Sequence, residues 1–372
     1  MTYNWQQKDW PLFRYDLTGI NDLALSFYEK IGYVEGMIST FPDSIKIEAI
    51  IEIMTIEAVK TSEIEAEFIS RQDVLSSLRN NLGLNHPKEK INDARVQGIA
   101  NLMIDVRNTY KEPLTEAKLF SWHEMLLSKP NPLRPIRVGG WRDHDNNNPM
   151  QVISDRPGKE IVHFEAPPSA RVPEEMREFI IWFNKTSQPD APGLFAPVRS
   201  AIAHLYFESI HPFDDGNGRI GRAIAEKALH QGLDEPLLLN LSKIIEADKK
   251  AYYDALKVGQ RSNEITPWIR YFVKTIVEAQ IDATKQIEFT KNKIKFLDRF
   301  KDQLNTRQLK VIKRMLQEGI KGFEGGMSTK KYCAITGAAK ATATRDLQDL
   351  LEKDILKQFG RGRNTHYDVN VT

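Results

Sequence analysis

Apolar positions recur at helical spacing along most of the chain. Val198, Ile202 and Leu205 form a stripe that Pro197 can start. His211-Pro212 ends it, because a residue before proline is pushed away from the helical region. A second set, Ile220, Ile224 and Ala228, begins at Arg219 and stops near Gly232, a C-terminal signal. Ile47, Ile50, Ile51, Met54 and Ala58 predict an amphipathic helix over 44–60, capped by Ser44. The same reasoning predicts helices near 23–33, over 91–106, and over 115–127 with Thr115 as N-cap. Further helices fall over 174–184, with Met176, Phe179, Ile180 and Phe183 as the stripe, and over 237–244, 249–258 and 268–277.

Two regions break this rhythm. Over 136–165, Gly139, Gly140, Pro149 and Pro157 interrupt any helix, while Gln151–Ser154 and Ile161–Phe164 read as short strands. Asp155–Gly158 between them is turn chemistry, so the stretch predicts a β-hairpin. Residues 187–197, with Pro189, Pro192 and Pro197, read as a loop into the central helix. Toward the end, 282–303 reads as a polar connecting helix. Helical segments over 306–317, 328–336 and 340–353 follow, and then strand, turn and strand over 355–359, 360–363 and 366–369. Three helices and a two-stranded wing resemble a winged helix-turn-helix. Thr342, Thr344, Arg345 and Gln348 would lie on its recognition helix, with Arg361 and Arg363 at the wing tip. Such a module contacts DNA or docks a protein.

The densest chemistry is His-Pro-Phe-Asp-Asp-Gly-Asn-Gly-Arg-Ile-Gly-Arg at 211–222, in the loop between the two central helices. Gly216 and Gly218 let backbone N–H groups turn inward at a helix N-terminus, which suits an anion. Arg219 and Arg222 are three apart, on one helical face, and can grip phosphate oxygens. Asp215 can hold a hard cation such as magnesium, and His211 can take a proton from a hydroxyl. Together these groups suit phosphoryl-group chemistry. Rival motifs fail on spacing. No P-loop is present, and a calcium-loop alignment puts Phe213 and Ile224 where ligands are needed.

The stretch resembles the Fic family signature, His-x-Phe-x-(Asp/Glu)-Gly-Asn-Gly-Arg-x-x-Arg, at every defined position. The resemblance extends over roughly residues 1–280 and implies transfer of AMP from ATP to a Ser, Thr or Tyr hydroxyl of a protein. It assigns His211 as general base, Phe213 as the core anchor of the loop, and Asp215 as ligand of Mg2+ between the alpha and beta phosphates. Gly216, Asn217 and Gly218 become the anion hole, with Arg219 and Arg222 on the beta and gamma phosphates. Thr61-Ser62-Glu63-Ile64-Glu65-Ala66 resembles the family's inhibitory motif, (Ser/Thr)-x-x-x-Glu-(Gly/Asn), with Ala66 in place of Gly or Asn. By that resemblance Glu65 pairs with Arg222 and blocks the gamma phosphate. Val152 and Ile153 become flap residues that align a target segment, and Tyr252 and Tyr253 stand where family members place aromatics near the base. Related sites transfer UMP, phosphocholine or a gamma phosphate, or remove AMP, and those chemistries remain alternatives. A nucleotide-sensing, DNA-binding regulator is a further one.

Composition adds limits. The 41% hydrophobic and 27% charged residues describe a globular chain, and neither a membrane span nor a signal peptide is evident. One cysteine, Cys333, fits a reducing cytoplasm. From residue 291 onward 18 Lys and Arg stand against 9 Asp and Glu, or +9; the remainder carries 34 against 41, or −7. A basic tail on an acidic body predicts separate modules. The expected architecture is mostly α: an N-terminal helical domain with the inhibitory helix (1–85), and a Fic-type helical bundle with its hairpin flap (86–281). A connecting helix (282–303) and a winged helix-turn-helix domain (304–372) complete it. A homodimer is among the assemblies expected.

Overall fold

Every residue of α7 (Ala196–Ile210) is buried, so the helix predicted from Val198, Ile202 and Leu205 runs through the core of its compact unit. A computed structural model describes residues 2–128, 136–145, 149–156, 159–187 and 195–371. The described chain is mostly helical, with fourteen α-helices and two antiparallel two-stranded sheets. It divides into two compact units, one of Met1–Met37 with Ile51–Asp282, the other of Ile38–Ile50 with Ala283–Thr372.

In the first unit α7 packs against α8 (Asn217–Leu233). Val198, Ile202 and Leu205 share a core with Ala225, Leu229, Trp268 and Phe272. Around this pair stand α3 (Arg71–Asn81), α4 (Ala94–Asn108), α5 (Glu116–Leu126), α6 (Val172–Lys185), α9 (Leu241–Ala247) and α10 (Lys249–Gly259). Arg199 ties three helices together by donating to the carbonyls of Ala228 (3.0 Å) and Phe183 (2.8 Å) and to Thr186 Oγ1 (3.0 Å). The N-terminal aromatics pack. Trp10 meets Tyr206 edge-on at 5.2 Å, and Trp5 Nε1 donates to Glu165 O at 2.8 Å.

Several predicted boundaries move. α1 (Asn21–Ser39) is longer than its pattern, and α2 (Asp43–Ile64) begins before Ser44, which lies inside the helix rather than capping it. α8 runs through Gly232 and ends at Asp234, which takes the left-handed conformation (φ 57°). Gly232 is small for another reason: a Cβ there would sit 2.5 Å from Ala196 Cβ. Leu237–Asn240 is not helical, because α9 starts only at Leu241. The stretches read as a last apolar helix and a separate connector form one helix, α11 (Thr266–Phe300). The polar stretch keeps good helix formers, and no Gly or Pro interrupts it.

β1 (Gln151–Arg156) pairs with β2 (Lys159–Glu165), so Asp155 and Arg156 belong to a strand rather than a turn. Pro157 and Gly158 lie outside the described residues, as do Pro189 and Pro192 of the predicted loop. The register shifts between Val152 and Ile153. In the second unit α12 (Thr306–Leu316), α13 (Thr329–Thr336) and α14 (Lys340–Glu352) precede the antiparallel pair β3 (Leu356–Phe359) and β4 (His366–Val369). Val311, Ile312, Tyr332, Leu347 and Leu350 make its core, and Asp346 accepts from Tyr332 Oη at 2.9 Å and from Arg307 Nε at 2.9 Å. No helix among the described residues is long and apolar enough to cross a membrane.

Candidate active site

α7 stops at Ile210 because His211 turns left-handed (φ 51°, ψ 60°) ahead of Pro212. A non-glycine residue there costs about 1–2 kcal/mol, and such strain collects at functional positions. Arg142 offsets it. Its guanidinium donates to the carbonyls of His211 (2.8 Å), Ile210 (3.3 Å) and Pro167 (2.6 Å) and to Ser169 Oγ (2.8 Å). Burial lowers the Arg142 pKa to about 10, which still leaves it charged at neutral pH.

Phe213 is fully buried and stacks on His123, with ring centroids 4.1 Å apart. His123 Nε2 also lies 3.2 Å from Asp215 O, so one imidazole braces both sides of the loop. Asn217 closes the turn: its Oδ1 accepts from Phe213 N (2.9 Å) and its Nδ2 donates to Phe213 O (2.8 Å). Its side chain is therefore spent on the loop, and only its backbone N–H remains for an anion. Gly216 (φ 80°) delivers the chain into α8, whose first N–H groups have no intrahelical acceptor. His144 Nε2 sits 2.8 Å from Asp214 Oδ1.

The chain after α2 folds back over this nest. Ala66 N donates to Glu63 O (3.1 Å) and Glu67 N to Ser62 O (3.0 Å), with Ala66 left-handed at φ 60°. That is a Schellman helix end, which explains why Gly or Asn suits the position. It aims two carboxylates at the two arginines. Glu65 Oε1 accepts from Arg222 Nη2 at 2.8 Å, and Glu67 Oε2 from Arg219 Nη1 at 2.6 Å. Thr61 adds its hydroxyl to Arg222 Nε (2.7 Å) and its carbonyl to Nη2 (2.9 Å). Burial disfavours the Arg222 charge, but the Glu65 carboxylate together with Tyr252 and Tyr253 outweighs it and holds the pKa above its usual value. Glu65 Oε1 lies 2.2 Å from where a Cβ on Gly218 would sit, so the carboxylate rests directly on the anion nest.

The Ala66 geometry gives a prediction. Ala66→Gly removes a left-handed alanine and is expected to stabilise the first unit by about 1 kcal/mol. Thermal melting checks this; an unchanged or lower midpoint would contradict the strain argument.

Farther up α2, both carboxylate oxygens of Glu57 accept from Ser242 N at 2.9 Å. Burial raises the Glu57 pKa to about 7, although the bond to Ser242 opposes it. Folded-state protonation of Glu57 contributes stability below its ordinary 4.5, and this is lost as pH rises through about 7. Buried His230, held down to about 3 by desolvation, acts oppositely but is finished by 6.5. The Glu57 contribution falls between about pH 4.5 and 7, opposed by His230 up to 6.5, and Glu226, which burial raises to about 8, carries the fall on. Melting midpoints should therefore fall between about pH 6.5 and 8, and Glu57→Gln should flatten the lower part of that slope. A rising midpoint would contradict the assignment.

Beside the nest lies a cavity of 1040 Å³ lined by His211, Asp215, Gly218, Arg222, Glu65 and the β1 residues Val152 and Ile153. Tyr252 and Tyr253 both line this cavity, but Tyr253 is 43% exposed, whereas Tyr252 is only 2% exposed and bonds His204 Nε2 at 2.8 Å. A base-stacking role therefore suits Tyr253 better. Buried Arg219 Nε and Arg222 Nη1 have no hydrogen-bond partner among the described residues, as donors awaiting an anion would. Asp215, half-exposed beside them, bonds Gly216 N through Oδ1 at 2.6 Å and is the carboxylate placed to hold a cation on that anion. The residues present thus fit a metal-bound phosphate ester.

Sequence reasoning found the motif, Thr61 and Glu65, but missed Glu67, His123, Arg142 and the His144–Asp214 pair. Their partners lie 16 to 152 positions away, and no local pattern marks them.

Comparison with known proteins agrees. A profile described as "Fic/DOC family" matches residues 113–229, and one described as "Domain of unknown function (DUF4172)" matches residues 3–84. A probable protein adenylyltransferase of Aquifex aeolicus is 34% identical over 99 residues, covering 26% of this chain and 29% of that protein. Protein adenylyltransferase Fic of Nematostella vectensis is 28% identical over 137 residues, covering 37% of this chain and 30% of that protein. The matched regions thus span less than a third of either relative. Two crystal structures share the fold. A Fic family protein of Desulfovibrio desulfuricans has TM-score 0.50 at 20% identity, covering 94% of this chain and 96% of its own. A Fic domain containing signaling protein of Bacteroides thetaiotaomicron has TM-score 0.53 at 17% identity, covering 72% of this chain and 97% of its own. Residues 113–229 thus match the Fic/DOC family model, and residues 3–84 a different one.

Proposed function

We propose that the chain is a protein adenylyltransferase that moves AMP from magnesium-bound ATP to a Ser, Thr or Tyr hydroxyl of a protein. Glu65 holds that activity low. The observation that carries this reading is the Glu65–Arg222 pair at 2.8 Å, resting over Gly218. A carboxylate that mimics a phosphate oxygen sits where a nucleotide's terminal phosphate would be gripped.

His211 takes the hydroxyl proton as the oxygen attacks the alpha phosphorus, and pyrophosphate leaves. Backbone N–H groups at Gly216–Gly218 and the Arg219 guanidinium stabilise the charge that develops. Asp215 would hold the magnesium ion, which neutralises phosphate charge when bound. Arg222 orients the terminal phosphate once Glu65 withdraws. The target segment docks along the flap, where Ile153 and Val162 are both exposed. The reaction suits the cytoplasm, where the single thiol Cys333 stays reduced.

Parallel incubations with ATP labelled on the alpha or the gamma phosphate test the reaction. The Glu65→Gly protein should retain alpha label and no gamma label. Retained gamma label would overturn the AMP assignment in favour of phosphoryl transfer.

A second reading concerns the other unit. α12–α14 with the β3–β4 hairpin have the order of a winged helix, and Thr344, Arg345 and Gln348 of α14 are exposed; the Arg363 side chain lies outside the described residues. DNA retention that is sequence-selective at physiological salt would support a regulatory role for this unit. Retention of a protein alone would favour docking.

A further inference from the structure

His204, Glu208 and, at the C-cap, His211 stand on one stripe of the fully buried α7, spaced i, i+4, i+7. Glu208 is 4% exposed, and its Oε2 lies 3.5 Å from His211 Nδ1. Neither that nitrogen nor Glu208 Oε1 has a hydrogen-bond partner among the described residues. Space for the carboxylate comes from α8: a Cβ on Gly221 would lie 2.5 Å from Glu208 Oε1 and 3.2 Å from the His204 ring. Glu208 also lines the same cavity as His211.

We propose that Glu208 is the positioning residue of the catalytic base: it holds the proton of His211 on Nδ1, so that Nε2 presents its lone pair to the incoming hydroxyl. The inference rests on the adenylyl-transfer reading of the site. A buried carboxylate without a hydrogen bond to one of its oxygens is costly, and a charge-assisted bond to the imidazole relieves that cost. The 3.5 Å separation closes by a small side-chain rotation, as catalytic bonds do when substrate arrives. The order is that of a carboxylate–histidine–hydroxyl relay in which the acid orients the imidazole and stabilises the imidazolium formed during the reaction.

The surroundings keep Glu208 ionised. Burial pushes its carboxyl up, and His211, His204 and Arg222 outweigh it, leaving it below the usual range. Tyr252 of α10 and Gln260, its C-cap, complete the setting. The tyrosine hydroxyl is already bonded to His204 Nε2 (2.8 Å), and Gln260 Nε2 donates to the backbone carbonyl of Glu208 (3.0 Å). Asp214 and Asp215 share the cavity with His211, and Glu65 faces Arg222. Glu208 is thus the buried anion at ion-pair distance from the His211 ring.

Nitrogen-15 spectra of histidine-labelled full-length protein test the inference without turnover, with the His211 signals assigned by their loss in His211→Ala. At alkaline pH the proton should reside on Nδ1, and in Glu208→Gln the population should move toward Nε2. In the Glu65→Gly background, Glu208→Gln should slow transfer at least about tenfold with the ATP dissociation constant within about twofold. It should also displace the acidic limb of the rate profile to lower pH. Gly221→Ala, which crowds the carboxylate instead of removing it, should shift both readouts the same way by less. A folded Glu208→Gln protein with unchanged tautomer and pH limb would overturn the proposal; should that variant not fold, an unchanged Gly221→Ala would do so. Failure of Glu65→Gly to transfer AMP at all would count against the reaction itself, and the tautomer would still decide Glu208.

Discussion

Glu65→Gly is expected to raise ATP-dependent modification by about 10- to 100-fold, because apparent activity scales with the fraction of molecules whose nest is open. The pair it breaks is bidentate in effect. Glu65 and Thr61 together engage Nε and Nη2 of Arg222, which is only 3% exposed, so a terminal phosphate has to displace a desolvated ion pair. Removing Glu65 leaves Arg222 with a free donor edge and clears the space over Gly218. Glu67 remains on Arg219 after this change, so Glu65→Gly with Glu67→Gln should exceed the single variant. Rates of label incorporation at fixed ATP check both, and a rate within twofold of wild type for Glu65→Gly would remove Glu65 from the account.

His211→Ala in the Glu65→Gly background should lower transfer by about 10²–10⁴-fold, the usual range for a positioned general base. ATP should still bind, because the anion nest is built from Gly216–Gly218, Arg219 and Arg222. Phe213 and Asn217 hold that loop without His211: Phe213 is locked against His123, and Asn217 bonds both polar groups of the Phe213 backbone. Loss of ATP binding together with transfer would show that the histidine supports the loop rather than the proton transfer. The strained backbone at His211 is held mainly by Arg142, so the substitution should cost little stability.

What the sequence revealed follows the range over which its signals act. The motif at 211–222 was legible because base, turn glycines and arginines all lie within twelve consecutive residues, where spacing alone fixes which face each occupies. Glu65 was legible through its own short motif, and Ala66 marked a departure whose meaning appears only in the φ of 60° at the helix end. Glu67 was not legible. Its role depends on the two-residue step across that left-handed turn, which returns the chain toward Arg219. Arg142 and His123 belong to other elements and reach the loop only through tertiary packing. Helix ends were misread at Ser44, which lies one residue inside α2, and at Gly232, whose missing side chain serves the close approach of Ala196 rather than a helix end. The i, i+4, i+7 run His204, Glu208, His211 was present in the sequence, but polar residues at that spacing normally read as a solvated face. Only the complete burial of α7 turns it into a relay.

The most direct test is intact-mass spectrometry after incubation with magnesium and ATP. It compares wild type, Glu65→Gly, and Glu65→Gly with His211→Ala, on the chain alone and with candidate target proteins. The account predicts an AMP increment that is weak or absent in wild type, present in Glu65→Gly and lost with His211→Ala. An increment that is equal in all three would contradict it, since the proposed base and the proposed restraint would then have no part in the reaction.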